Sequence, residues 1–158
     1  MHVYCLFCET QHCRQIATII EKDFGFRCIY PQIVQRKWIK GKPTEEMHDW
    51  LPGYLFLYTE QSMVTMPRVA GIIRWLGNGE LTGGDLEFAR MIQEKNGIMG
   101  NVLLIQEGSR CRIKDTAWSG LQGEVIKMDR ERKRCCIQYV FDHIVRTIWA
   151  GYEIVDNQ

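Results

Sequence analysis

Residues 108–134 read GSRCRIKDTAWSGLQGEVIKMDRERKR, and this stretch decides how the second half of the chain folds. Arg110, Arg112 and Lys114 alternate with Cys111 and Ile113, so a strand here carries one apolar face and one cationic face. Gly120 and Gly123 permit tight backbone geometry before Val125, Ile126 and Met128 resume the apolar pattern. A basic turn at 129–134 follows. Beyond it, Cys135 to Phe141, a turn at Asp142-His143, Ile144 to Trp149 and Tyr152 to Val155 complete five short strands, enough for a small barrel over 106–158.

Toward the N-terminus, residues 98–107 read as a linker. Ile98, Met99, Val102, Leu103, Leu104 and Ile105 make it more apolar than a free tether, so part of it packs on a domain or forms a short strand. Residues 1–102 read as an α/β sandwich. After an opening strand, Thr10 is an N-cap, Ile16, Ile19 and Ile20 define a helical face, and Gly25 is the stop. Residues 26–34 are extended, with Pro31 at an edge or bulge. From Gln35 to Trp50 the chain is polar around Gly41, Lys42 and Pro43, as an exposed hairpin tip or loop. Its cations Arg36, Lys37, Lys40 and Lys42 either approach DNA or RNA or are solvated. After a strand at 53–58, Ser62 caps a short helix ended by Pro67. A second helix starts with Thr82 and Asp85 as a capping box, Leu81 as a staple, and closes at Asn96-Gly97.

Balanced charge and 46% hydrophobic residues describe a packed chain rather than a disordered one. With no long apolar stretch and no leader-like N-terminus, a soluble cytoplasmic protein that does not engage membranes is expected. Residues 1–105 carry 11 basic and 11 acidic side chains and residues 106–158 carry 9 and 8, so any nucleic-acid contact must come from local clustering. Seven cysteines, an odd number, fit a reducing compartment better than a disulfide framework. Cys5 and Cys8 form a CxxC, but on a strand residues three apart point to opposite faces, so their sulfurs diverge; Cys135 and Cys136 have the same problem. Buried cysteines, and no metal or cofactor, are the reading. His2, His12, His48 and His143 lack ligand spacing or a nucleophile nearby, and Gly83-Gly84 forms no phosphate loop, so binding rather than catalysis is expected.

The 108–134 stretch resembles a KOW motif. Ahead of it, Leu51-Pro52-Gly53-Tyr54-Leu55-Phe56-Leu57 resembles the P-G-Y strand of the NusG N-terminal (NGN) domain, Val3-Tyr4-Cys5-Leu6-Phe7 its first strand, and Gly71 to Gly77 its short strand ending in Gly. Four such segments in this order cover nearly the whole chain. The resemblance to the NusG family of transcription elongation factors implies an α+β fold, an NGN-like α/β sandwich followed by an SH3-like five-stranded KOW barrel. It implies a monomeric antitermination factor that accompanies transcribing polymerase at the nucleoid. Its first domain would bind the clamp helices of RNA polymerase through a concave patch lined by Phe7, Tyr54 and Phe56, with core positions as the alternative for these aromatics.

Lys127, Arg130, Arg132, Lys133 and Arg134 would meet RNA at a hairpin tip, with Arg110, Arg112 and Lys114 as the second choice; Asp129 and Glu131 interrupt the run, and a merely solvated turn is the alternative. Where ordinary relatives carry Gly-Pro-Phe, this chain has Thr116-Ala117-Trp118, which puts contacts with ribosomal protein S10 or Rho in doubt. Among specialised paralogues it is most similar to the LoaP group, whose KOW domain engages an RNA hairpin. A general factor coupling polymerase to ribosome or Rho, and a ribosomal-type RNA-binding module, remain the alternatives.

Overall fold

The computed structural model describes residues 1–156 as an α+β protein, mostly sheet with few helices. Two compact units are present: Met1–Pro31 with Asp49–Gly97, and Gln32–His48 with the chain from Ile98 onward.

The first unit is an antiparallel sheet with a helix on each face. Strands β1 (His2–Cys8), β2 (Arg27–Ile29), β5 (Tyr54–Thr59) and β6 (Ile72–Glu80) lie in the order β2-β5-β1-β6. Alternation divides β1 and β5 between the two faces. Tyr4, Leu6, Cys8, Leu55 and Leu57 pack with Cys13, Ile16 and Ile20 beneath α1 (Cys13–Ile19) and the π turn Ile20–Phe24 that prolongs it. On the opposite face, Phe56 meets Phe88 of α2 (Gly83–Glu94) edge-on at 6.3 Å, and the Tyr58 hydroxyl donates to the Ala89 carbonyl at 2.5 Å. Gly25 ends the first helical segment in the left-handed region, as expected.

Several local expectations are corrected. Thr10 does not cap a helix: Thr10–His12 is a 3-10 turn, α1 begins at Cys13, and Ile19 faces outward. Thr82 occupies the N-cap of α2 without a capping bond from its side chain. No helix forms after Ser62. So few residues before Pro67 cannot offset the cost of nucleation; instead the Met63 N–H donates to the Tyr4 hydroxyl at 2.7 Å, and Met63, Met66 and Val69 cover the α1-side core.

The second unit holds β8 (Val102–Glu107), β9 (Arg110–Ile113), β10 (Glu124–Asp129), β11 (Arg134–Phe141) and β12 (Ile144–Val155) in one sheet, ordered β10-β11-β12-β8-β9. Five strands are present, with a different membership from the one the sequence suggests. The two final segments merge into one 12-residue strand, β12, which pairs antiparallel with β11 and then, from Tyr152, parallel with β8. The residues that read as a linker supply the missing strand: β8 lies inside the sheet, between β12 and β9. Inward Ile137, Tyr139 and Phe141 pack with Leu104, Leu121 and Trp118, all at most 2% exposed. Trp118 meets Tyr139 edge-on at 5.4 Å.

Gln32–His48 also belongs to this unit, against the expectation that residues 1–102 form one domain. It is a hairpin of β3 (Gln32–Ile39) and β4 (Lys42–Asp49), joined to the short strand β7 (Ile98–Met99) by parallel pairing of Gln32 with Ile98. Its tip turns at Lys40 and Gly41, both with positive φ. Among the described residues, no helix is long and apolar enough to cross a membrane.

Candidate nucleic-acid interface

The basic turn is built around one carboxylate. Asp129, at the end of β10, accepts the Arg132 backbone N–H at 3.1 Å and the Arg134 Nε–H at 3.2 Å, with the Arg132 guanidinium a further 3.8 Å ion pair. This closes the chain between β10 and β11 in a compact bend with Lys133 in the left-handed region. Asp129 interrupts the run of positive charge, yet it is the group that organises the turn. Arg134 is also stacked, with its guanidinium carbon 4.5 Å from the Trp149 ring centre on β12. Arg130, Arg132 and Lys133 are exposed, and among the described residues Arg130 and Lys133 have no ion-pair partner.

The Arg132 N–H, followed by the Arg134 guanidinium, holds the Asp129 carboxyl below its ordinary range. A carboxyl with a depressed folded pKa supports structure above its unfolded value, about 3.9, and that support is lost as pH falls through the folded value. Acidification below about pH 4 is therefore expected to release the Arg132 amide into solvent exchange before the sheet itself unfolds. Amide NMR over a pH titration tests this, and an Asp129→Asn variant should show the same faster exchange at neutral pH. An Arg132 amide equally protected in the variant would mean that the carboxylate does not hold the turn.

Six of the eight cations that stand out in the sequence fall into two sets, and Arg130 and Lys114 belong to neither. Lys127 faces an open groove of ≈ 500 Å³ that Arg110 and Arg112 also line, with Glu107 and Glu124 on its walls. Arg112 is ion-paired to Glu107. Lys127 lies apart from the turn group, inside β10 two residues before Asp129 and next to a register shift between Val125 and Lys127. Lys114 is exposed and anchors its backbone on the Leu103 carbonyl at 2.9 Å. Arg132, Lys133 and Arg134 border a separate, smaller recess together with Trp149, a residue that no sequence pattern marks.

The aromatic trio needs correction. Phe56 is 0% exposed and Tyr54 3%, so neither lines an open patch. Strand β5 is buried on both faces, and the face bearing these two residues is the one toward α2. Phe7 remains half-buried, 5.0 Å from the Tyr54 ring and 5.3 Å beneath the Arg74 guanidinium. The turn before β5 is locked to this spot: Gly53 has φ 95°, its carbonyl accepts the Cys8 N–H at 2.7 Å, and a Cβ there would stand 3.0 Å from the Phe7 ring.

Six of the seven thiols are buried packing groups, whereas Cys111 is half-buried and donates to the Gln106 side-chain carbonyl at 3.2 Å. Cys5 lies opposite Phe56 on one face and Cys8 lies in the α1-side core on the other. Burial pushes Cys8 and Cys135 each up to about 12, so both remain protonated near neutrality and are poor nucleophiles.

A scan of the sequence against models of known protein families finds none that matches, and a search of the curated proteins finds no match either.

Proposed function

We propose that this chain is a transcription elongation and antitermination factor of the NusG type, most like the LoaP group in character. Its first unit docks on the clamp helices of RNA polymerase and its second holds an RNA hairpin. The observation that carries this reading is the Asp129-centred turn, which holds a cluster of exposed cations at the rim of a small five-stranded sheet. Cations fixed in place at low entropic cost suit a phosphate backbone, whose recognition needs charge at set positions before it needs base contacts. The α+β composition is compatible with an NGN–KOW chain: a four-stranded antiparallel sheet with a helix on each face accompanies a small β unit that also takes in Gln32–His48, and the P-G-Y triplet leads into an inner strand.

Within the first unit, Phe7 is the aromatic left to anchor a helix tip, with Arg74 over its ring. Bridging the polymerase cleft from this site would oppose clamp opening and pausing. The second unit would keep RNA near the exit path. Coupling to ribosome or Rho is the weaker reading because Thr116-Ala117 stand where ordinary relatives carry Gly-Pro, and Trp118, in place of their Phe, is 1% exposed and committed to the core. A ribosomal-type RNA module leaves the first unit without a role.

In vitro transcription on terminator templates tests the proposal. Read-through is expected to rise when an RNA hairpin lies upstream of the terminator and to stay near background without it. Equal read-through on both templates would remove the RNA hairpin from the mechanism. Failure to co-purify with polymerase would remove the docking step.

A further inference from the structure

We infer that the β3–β4 hairpin and the Asp129–Arg134 turn together form a binding site for a single phosphodiester group of an RNA backbone. The inference rests on the RNA-binding reading above and adds to it a second wall, contributed by residues far earlier in the chain. Within the second unit, a recess of ≈ 90 Å³ is lined by Arg36 and Lys37 of β3 on one side and by Arg132, Lys133 and Arg134 on the other, with Trp149 at its back.

Five cations surround this space, and no carboxylate is among its lining residues. Acidic partners lie outside it. Arg36 is 4.0 Å from Glu45, Lys37 is 2.9 Å from Glu46, and Asp129 serves both Arg132 and Arg134. Three carboxylates against five cations leave a surplus of two positive charges at the recess. Two of the nearby backbone acceptors are engaged: Gln35 Nε2 donates to the Trp149 carbonyl at 3.2 Å and the Tyr152 N–H donates to the Lys133 carbonyl at 3.3 Å. The Gln35 bond also ties β3 to β12 at the recess, so the two cationic walls are held in register. Donors and positive charge remain, which is the complement of an anion.

Size narrows the class. Pockets for whole small molecules run from about 300 Å³ upward, so this recess suits one small polyatomic anion and excludes a nucleotide. The arginines of the turn offer the fork geometry that phosphate oxygens accept in pairs, and Lys37, on the same face of β3 as Gln35, adds a point charge from the other wall. Arg36 and Lys37 are about half exposed, at 50% and 49%, so their ion pairs with Glu45 and Glu46 are exposed pairs of small net value that a phosphate can displace.

The test is a fluorescence titration of the full chain with a mixed-sequence RNA stem-loop at several salt concentrations. It compares Arg36→Gln/Lys37→Gln, Arg132→Gln/Lys133→Gln and the four-fold variant. Each pair is expected to weaken binding about tenfold or more and to lower the log-log salt slope by about 0.7–0.9 for the one phosphate that is no longer neutralised. The four-fold variant should be weakened by less than the product of the two, because both walls hold the same phosphate. Arg36→Lys/Lys37→Arg should retain most of the affinity, and thermal melting should show all variants folded.

If only the turn pair matters, the composite site is overturned while RNA binding by the turn stands. If neither pair matters, both readings fall. A DNA stem-loop of the same sequence, bound as tightly and weakened equally by both pairs, would uphold the phosphodiester site and overturn the preference for RNA. Tight calorimetric binding of inorganic phosphate alone would identify a free-anion site and overturn the backbone assignment.

Discussion

Replacing Phe56 with alanine is expected to lower the stability of the fold by about 3–5 kcal/mol, the usual cost of deleting a large aromatic side chain from a packed core. The ring is fully buried and stands edge-on to Phe88, so truncation leaves a cavity between β5 and α2. Against a total of about 5–15 kcal/mol for a domain, such a loss leaves little folded first unit to dock on anything. Polymerase binding should fall with it, as an indirect result. Phe7→Ala is the contrasting case: half-buried, it should weaken polymerase co-purification by roughly 2 kcal/mol while shifting the urea midpoint much less. Urea titration and polymerase pull-down on both variants separate the two roles. A Phe56→Ala protein with an unchanged midpoint and no polymerase binding would restore that residue to the docking surface.

A fragment of residues 106–158 is expected not to fold. The cut removes most of β8, and β8 lies between β12 and β9, so β9 keeps only its pairs with Gln106 and Glu107 and Tyr152 to Val155 lose their parallel partner altogether. Leu104 and Ile105, both buried, leave the core as well. A sheet unit this small has no margin for losing an interior strand. Its amide NMR spectrum should be collapsed, and a fragment that begins at residue 98 should regain dispersion. A dispersed spectrum from 106–158 would mean that β8 is an accessory strand.

What the sequence conveys and what it withholds divide along physical lines. Where a strand is covered on one side, alternation is informative: Cys135 to Phe141 is readable as β11, and Asp142-His143 as the turn after it, where both residues adopt positive φ. Where a strand is buried on both sides, alternation carries nothing. All six residues of β5 are buried, so Tyr54 and Phe56 cannot be assigned a face from their spacing. Strand β8 misleads for a different reason: Leu103, 40% exposed, puts an apolar residue at an outward position between buried Val102 and Leu104, so the run Val102 to Ile105 hides its alternation and resembles a sticky linker. The basic turn is legible as a charge cluster. Its second wall is not, because no local pattern links Arg36 to Lys133; that proximity is created by the pairing of β3 with β7 and by the bond from Gln35 to β12.

The switch of β12 from an antiparallel to a parallel partner sets the order in which this molecule can be made. β10, β11 and the first part of β12 join through short turns and can zip as soon as they are synthesised. The last third of β12 must instead find Val102 to Ile105, far upstream, and pairings of such separation form slowly because a long loop has to close first. During translation β8 therefore waits unpaired on one side until Val155 has emerged from the ribosome. Trp149 to Gly151, at the back of the cationic recess, immediately precede that switch, so their environment is completed late. A nascent chain would acquire the sheet of its first unit first and complete the cationic recess of its second unit last.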